Sequence, residues 1–225
     1  MARGKTPGGR SEAVMLRDAR KHSPQSQRWL RRQLNDPYVR AAQQEGWRSR
    51  AAFKLIELDE RYRLIRKGMV VLDLGAAPGG WTQVALKRGA ARVVGIDLLP
   101  IEPVAGADLV LGDITDPAKE AEVLALLGGK ADLVLSDMAP NTTGHAATDH
   151  IRIMALAELA LEVALPVLGQ GSGFVCKLFQ GGAERAMLER LKKDFAVVRH
   201  AKPPASRKES SELYVVATGF RRGTE

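Results

Sequence analysis

From Met69 onward the chain alternates short apolar runs of strand character with helix-patterned segments, and this alternation constrains the fold more than any single motif. The runs Met69–Leu74, Arg92–Asp97, Leu109–Leu111, Leu133–Ser136 and Gly173–Phe179 read as strands. Interleaved with them are predicted helices at Trp81–Lys87, Pro117–Leu127, about Asp149–Leu168 and Ala183–Lys193. Strands that pair across an intervening helix run parallel, so the pattern predicts an α/β fold, a doubly wound and mostly parallel sheet with helices on both faces. The last two strands, Ala196–His200 and Leu213–Thr218, differ. They are joined by Lys202–Ser211, which holds two prolines and no helical pattern. That connection is a poor crossover, so an antiparallel hairpin at the sheet edge is expected.

Ahead of the alternating region, Ser49 can cap a helix whose apolar stripe runs through Phe53, Ile56, Leu64 and Ile65 to about residue 66, with Lys54 beside it. Charge separates this body from what precedes it. Residues 1–50 hold 12 Lys/Arg against 4 Asp/Glu, and the remaining 22 basic and 22 acidic residues cancel, so the net +8 belongs to the N-terminal region. The expected organisation is a basic, flexible extension over residues 1–27 and one domain over 28–225. A neutral body with a basic arm suits a polyanionic partner, because neutralising phosphates releases counterions.

Other classes are disfavoured. No apolar run approaches the roughly 18 residues that a membrane span needs, and MARGKTPGGR has no signal-peptide core, so a soluble, cytosolic monomer is expected. One cysteine, Cys176, and four scattered histidines offer neither a disulfide framework nor metal-ligand spacing.

Ligands of open α/β sheets bind beyond the carboxyl ends of the strands. Asp97, Asp113 and Asp137 stand at or just past three such ends, and the first strand carries Asp73 before the turn Gly75-Ala76-Ala77-Pro78-Gly79-Gly80-Trp81. Ala77 and Pro78 break the dinucleotide GxGxxG order, and proline removes an N–H that a phosphate would use. S-adenosylmethionine, which has a ribose and a cationic amino acid end but no phosphate, fits better. Asp97 can accept from both ribose hydroxyls, Asp113 can sit beside the adenine amino group, and Asp73 and Asp137 can meet the cationic end. Taken singly, each aspartate reads more readily as a cap or a loop acid, but three in strand-end register point to a ligand.

In Phe174-Val175-Cys176-Lys177-Leu178-Phe179 a lysine interrupts an apolar strand. A buried lysine needs a partner, so Lys177 either emerges at the strand end or meets an acid such as Asp137. Strand alternation puts Cys176 on the opposite face, which favours a core role over nucleophilic attack on a pyrimidine. Ser136-Asp137-Met138-Ala139-Pro140 lacks the Pro-Pro-aromatic with which amino-group methylases hold a base. A sugar hydroxyl is the better acceptor.

The stretches SRAAFKL (49–55), DLGAAPGGW (73–81), GIDLLP (95–100), SDMAPN (136–141), FVCKLFQG (174–181) and SRKESSELYVVATGF (206–220) together resemble the FtsJ/RrmJ-type ribosomal RNA 2'-O-methyltransferases, with coverage from about residue 28 to 220. The resemblance implies a Rossmann-like methyltransferase fold and a Lys-Asp-Lys-Glu tetrad at Lys54, Asp137, Lys177 and Glu212. It also implies cofactor contacts at Gly79, Trp81, Asp97, Asp113 and Asp137; Asp73 in the first strand and Gly75 at the start of the turn are further cofactor-binding candidates by their place at that strand end. The implied substrate is a uridine in the A loop of 23S ribosomal RNA, on the large ribosomal subunit. Residues 1–27 exceed the family core.

The chemistry is consistent with that tetrad. A sulfonium methyl is already activated, so the enzyme must align an in-line displacement and make a ribose hydroxyl nucleophilic. Lys177 is the candidate base. Desolvation and a second cation favour a neutral amine, whereas a neighbouring carboxylate opposes it. Glu212 can orient Lys177 or the ribose. The competing readings are a methyltransferase acting on a base or on transfer RNA, a non-catalytic RNA-binding assembly factor, and a nicotinamide dehydrogenase. The intact tetrad and the missing middle glycine count against the last two.

Overall fold

The computed structural model describes residues 33–140, 145–180 and 184–221, with Gln27 and Leu30. The expected basic extension otherwise lies outside the described residues.

Among these, seven strands form one sheet in the order β3-β2-β1-β4-β5-β7-β6. They are β1 (Val70–Leu74), β2 (Arg92–Asp97), β3 (Ala107–Leu111), β4 (Ala131–Ser136), β5 (Leu168–Phe179), β6 (Phe195–Ala201) and β7 (Glu212–Phe220). Strands β1 to β5 pair in parallel, and β7 lies antiparallel between β5 and β6. The expected hairpin is therefore present. Its second strand, β7, is the inner one, and β6 forms the edge.

The helices are α1 (Pro37–Glu45), α2 (Ala51–Tyr62), α3 (Gly80–Lys87), α4 (Pro117–Leu127), α5 (Ala146–Val167) and α6 (Glu184–Asp194). Strand alternation sorts the core into two faces. Leu72, Val134, Phe174 and Cys176 pack on the side of α4, α5 and α6. Val71, Leu133, Leu135, Val175, Tyr214 and Val216 pack on the side of α2 and α3. A smaller cluster of Tyr38, Ala41, Ala42, Phe53 and Ala205 joins α1 and α2 to the β6–β7 connection.

Two features near the start of the domain depart from expectation. Helix α1 was not foreseen, although Asp36 accepts from Tyr38 N, Pro37 opens the helix and Gly46 (φ 74°) closes it. The helix expected from Ser49 begins at Ala51 instead, and Arg50 occupies the cap position without a side-chain bond. Ser49 Oγ is buried without a hydrogen-bond partner, facing Gly80, where an added Cβ would lie 2.7 Å from it. The helix also ends before Leu64 and Ile65. Arg63 turns the chain at φ 54°, and Asp59 Oδ1 accepts from Ile65 N at 2.8 Å, which keeps both residues buried beyond the helix.

Candidate active site

The topology reverses at β1 and β4, and the carboxyl ends of the strands there open into a cavity of about 660 Å3. Of the residues expected there, Gly75, Asp97, Asp113 and Asp137 line it. Apolar walls come from Leu98, Leu99 and Ile114, with Arg152 and Leu156 from α5 opposite. Gly75 has φ 75°, and a Cβ on it would sit 2.6 Å from Met138 Cγ, so only glycine lets the turn approach the end of β4.

Asp97 organises the rim. Its Oδ2 accepts from Ala77 N at 2.9 Å and its Oδ1 from Leu99 N at 2.8 Å. Asp113 Oδ1 accepts from Thr115 N (2.9 Å) and Thr115 Oγ1 (2.8 Å), and these bonds hold its carboxyl below the usual range.

Asp73, Gly79 and Trp81 are not among the residues that line this cavity. Asp73 points to the α3 side, where Oδ2 accepts from Thr82 Oγ1 at 2.7 Å and the buried Oδ1 has no partner. Gly79, at φ 105°, is the N-cap of α3 and lies under the Arg48 side chain. Arg48 in turn donates to the carbonyls of Pro78, Glu102 and Pro103. Trp81 Nε1 donates to Ala51 O at 2.8 Å, and its ring lies 5.7 Å from that of Tyr214.

The position of Asp73 has a measurable consequence. Burial pushes its carboxyl up to about 7, the Thr82 bond opposes this, and Asp137 and Asp97 add to it. The folded chain then keeps a proton that the unfolded chain releases near its ordinary value of 3.8. Stability falls as pH rises wherever the folded state binds more protons, so this residue costs stability progressively up to about pH 7. Asp73→Asn keeps an acceptor for Thr82 and does not titrate. Its melting temperature relative to the unsubstituted protein should rise by several degrees between pH 5 and pH 8. A difference independent of pH would count against a neutral Asp73.

Beside the cavity, four polar side chains converge from distant parts of the chain. Lys177 projects from β5 to the α2 side, and its Nζ lies 2.8 Å from Asp137 Oδ1, 2.7 Å from Asp137 O and 3.5 Å from Met138 O. Lys54, from α2, places Nζ 2.9 Å from Glu212 Oε2 and 3.7 Å from Asp137 Oδ1. Burial alone would raise the Asp137 carboxyl, but Lys177, Lys54 and its hydrogen bonds hold it below the usual range. Thus Lys54, Asp137, Lys177 and Glu212 form one connected cluster, and Asp137 belongs to both cluster and cavity.

Two further members were not singled out from the sequence. Tyr214 Oη donates to Asp137 Oδ1 at 2.6 Å and accepts from Lys54 Nζ at 3.0 Å. Burial first, and then Asp137, raises its phenol, which stays a donor. Ser206 Oγ donates to Glu212 Oε1 at 2.7 Å. The visible signal for Tyr214 was its place two residues after Glu212, on the same strand face. The register that sets it opposite Lys177 was not visible. Cys176 faces the other way, buried, with its thiol pushed up to about 12 by desolvation.

A Rossmann-like sheet with an inserted antiparallel seventh strand, a cavity at the reversal point rimmed by carboxylates, and a lysine-carboxylate cluster at its side define a methyltransferase. The chain belongs to the FtsJ-like methyltransferase family, whose model matches residues 47–220. It is 66% identical over 224 residues to the ribosomal RNA large subunit methyltransferase E of Granulibacter bethesdensis, covering 98% of this chain and 97% of that one. It is 68% identical over 212 residues to the protein of the same name from Acidiphilium cryptum, covering 94% of each. Among solved structures, a ribosomal RNA methyltransferase of Plasmodium falciparum superposes with a TM-score of 0.69 at 29% identity, covering 77% of this chain and 98% of that one. Among the described residues no helix is long and apolar enough to cross a membrane, and no cluster could hold a metal ion.

Proposed function

We propose that the protein transfers a methyl group from S-adenosylmethionine to the 2'-hydroxyl of a uridine in the A loop of 23S ribosomal RNA, on the large ribosomal subunit. The observation that carries this reading is the double membership of Asp137, which joins the cofactor-sized cavity to Lys177.

The cavity suits S-adenosylmethionine. Its volume of about 660 Å3 is within the range of small-ligand sites, and its rim carries carboxylates. From Gly75 to Gly79 the turn has no free N–H to offer a phosphate. Gly75 and Ala76 donate to Ile96 O, Ala77 to Asp97, Gly79 to Ala76 O, and Pro78 has none. This favours a phosphate-free ligand over a dinucleotide. Asp97 would take the ribose hydroxyls, Asp113 the adenine amino group, and Asp137 and Gly75 the amino acid end. Gly79, Trp81 and Asp73 enter as supports: they fix the turn and α3 against the wall that carries Lys54.

When bound, the cofactor supplies a methyl already activated by its sulfonium. The chain's own residues do the rest. Lys177 takes the proton from the 2'-hydroxyl, Asp137 holds Lys177 against the cavity, and Glu212, itself held by Ser206, fixes Lys54 as the second cation. The thiol of Cys176, buried on the opposite face of β5 and raised by desolvation, argues against attack on a base. Comparing ribosomal RNA from cells with and without the protein should reveal one uridine in the A loop whose ribose methyl depends on it. A methyl on a base, on transfer RNA, or no difference would overturn the assignment.

A further inference from the structure

On the α2 side of the C-terminal hairpin, the register pairs Ala201 with Tyr214, Arg199 with Val216 and Val197 with Thr218. Opposed residues share a face and alternate residues repeat it, so the three pairs make one row leading away from Tyr214, with roughly 7 Å between successive pairs. Helix α2 accompanies this row. Lys54 and Arg61 are seven residues apart, which sets them on one side of the helix about 10 Å from each other. The row therefore begins at the lysine-carboxylate cluster. It ends in a groove of about 430 Å3 lined by Arg61, Tyr62, Val197, Arg199, Val216 and Thr218.

This groove carries charge of one sign. Arg61 and Arg199 are exposed, no carboxylate lines the groove, and among the described residues neither arginine has an ion pair. Elsewhere Arg48, Arg50, Arg88, Arg92, Arg190 and Arg207 are tied to backbone carbonyls or carboxylates. The Arg61 guanidinium lies 5.1 Å from the centroid of the Tyr62 ring, and Tyr62 Oη donates to His200 O at 3.5 Å, which braces the wall against β6. Val197, in the open floor, is 40% exposed. Two uncommitted guanidinium forks beside an aromatic ring and a hydroxyl, continuous with a site that acts on a ribose, suit a nucleic-acid backbone.

We propose that this groove binds phosphates of the RNA strand adjoining the methylated nucleotide, with Arg61 and Arg199 as the contacts. The identity of the polyanion rests on the function proposed above; the groove itself does not. The test uses the full-length protein and a transcript carrying the A-loop region, with binding measured across a salt series. Each phosphate contact to a single strand contributes about 0.7 to the slope of log affinity against log salt. The double variant Arg61→Ala/Arg199→Ala should therefore lose about 1.4 from that slope. Its affinity should fall at least several-fold at low salt, with cofactor affinity unchanged in the same samples. Arg61→Lys/Arg199→Lys keeps both charges and should retain most of the slope, which separates phosphate binding from loss of packing. An unchanged slope in the alanine pair overturns the proposal, as it would if the groove took an acidic protein segment. An unsubstituted protein that binds the transcript with the expected slope but methylates no ribose overturns the function and leaves the groove standing.

Discussion

Lys177→Ala should bind S-adenosylmethionine as the unsubstituted protein does and lose methyl transfer by about 100-fold or more, since positioned general bases contribute 10²- to 10⁴-fold. The fold should survive, because Asp137 keeps Tyr214 at 2.6 Å and Lys54 at 3.7 Å and is not left as an isolated buried charge. Lys177→Arg is the sharper variant. It preserves the cation beside Asp137, but a guanidinium cannot be deprotonated in a protein, so it should fail nearly as badly. In the free protein Nζ has three oxygen acceptors, Asp137 Oδ1, Asp137 O and Met138 O, the arrangement of an ammonium. The assay is transfer of labelled methyl to large subunits from cells lacking the enzyme, followed by digestion to nucleosides. Near-normal activity in the arginine variant would show that Lys177 serves as an electrostatic clamp and not as a base.

Asp97→Ala should weaken S-adenosylmethionine binding at least about 100-fold by calorimetry. Hydrogen bonds to a charged acceptor are worth about 1.5 to 3 kcal/mol each, and the proposed role involves two hydroxyls. The carboxylate also accepts from Ala77 N and Leu99 N, so its removal frees both the glycine-rich turn and the apolar Leu98-Leu99 wall. Asp97→Asn separates the two effects. The amide retains one acceptor oxygen for the backbone and lacks the charge, so its affinity should fall between those of the other two proteins. A dissociation constant unchanged in Asp97→Ala would refute the assignment of this cavity to the cofactor.

The cluster and the RNA groove divide the work in the proposed mechanism. Lys177 and Asp137 meet at the cavity edge, where a methyl acceptor must stand, while Arg61 and Arg199 lie farther along the same hairpin face. Loss of the first pair should appear in turnover. Loss of the second should appear in the affinity for RNA and its salt dependence.

Local sequence determined most of the sheet. Val93, Val94 and Ile96 in β2 and Leu133, Val134 and Leu135 in β4 are apolar runs bounded by turns, and Asp116-Pro117 with Gly128 delimits α4 at both ends. Lys177 announced itself as a charge in an apolar strand, and alternation alone separated it from Cys176. The same local rules misled at Ser49, whose hydroxyl could cap a helix but is packed against Gly80 instead, since an oxygen's partner depends on what the fold brings near it. They also did not fix on which side Asp73, Gly79 and Trp81 present their side chains, because that depends on backbone angles and on the neighbouring strand. Only the tertiary structure joined Lys54 to Glu212 across 158 positions and set Tyr214 opposite Lys177. Insertion of β7 antiparallel between β5 and β6 made both contacts. Strand register is a long-range choice, fixed by which faces can be buried together, and no single segment encodes it.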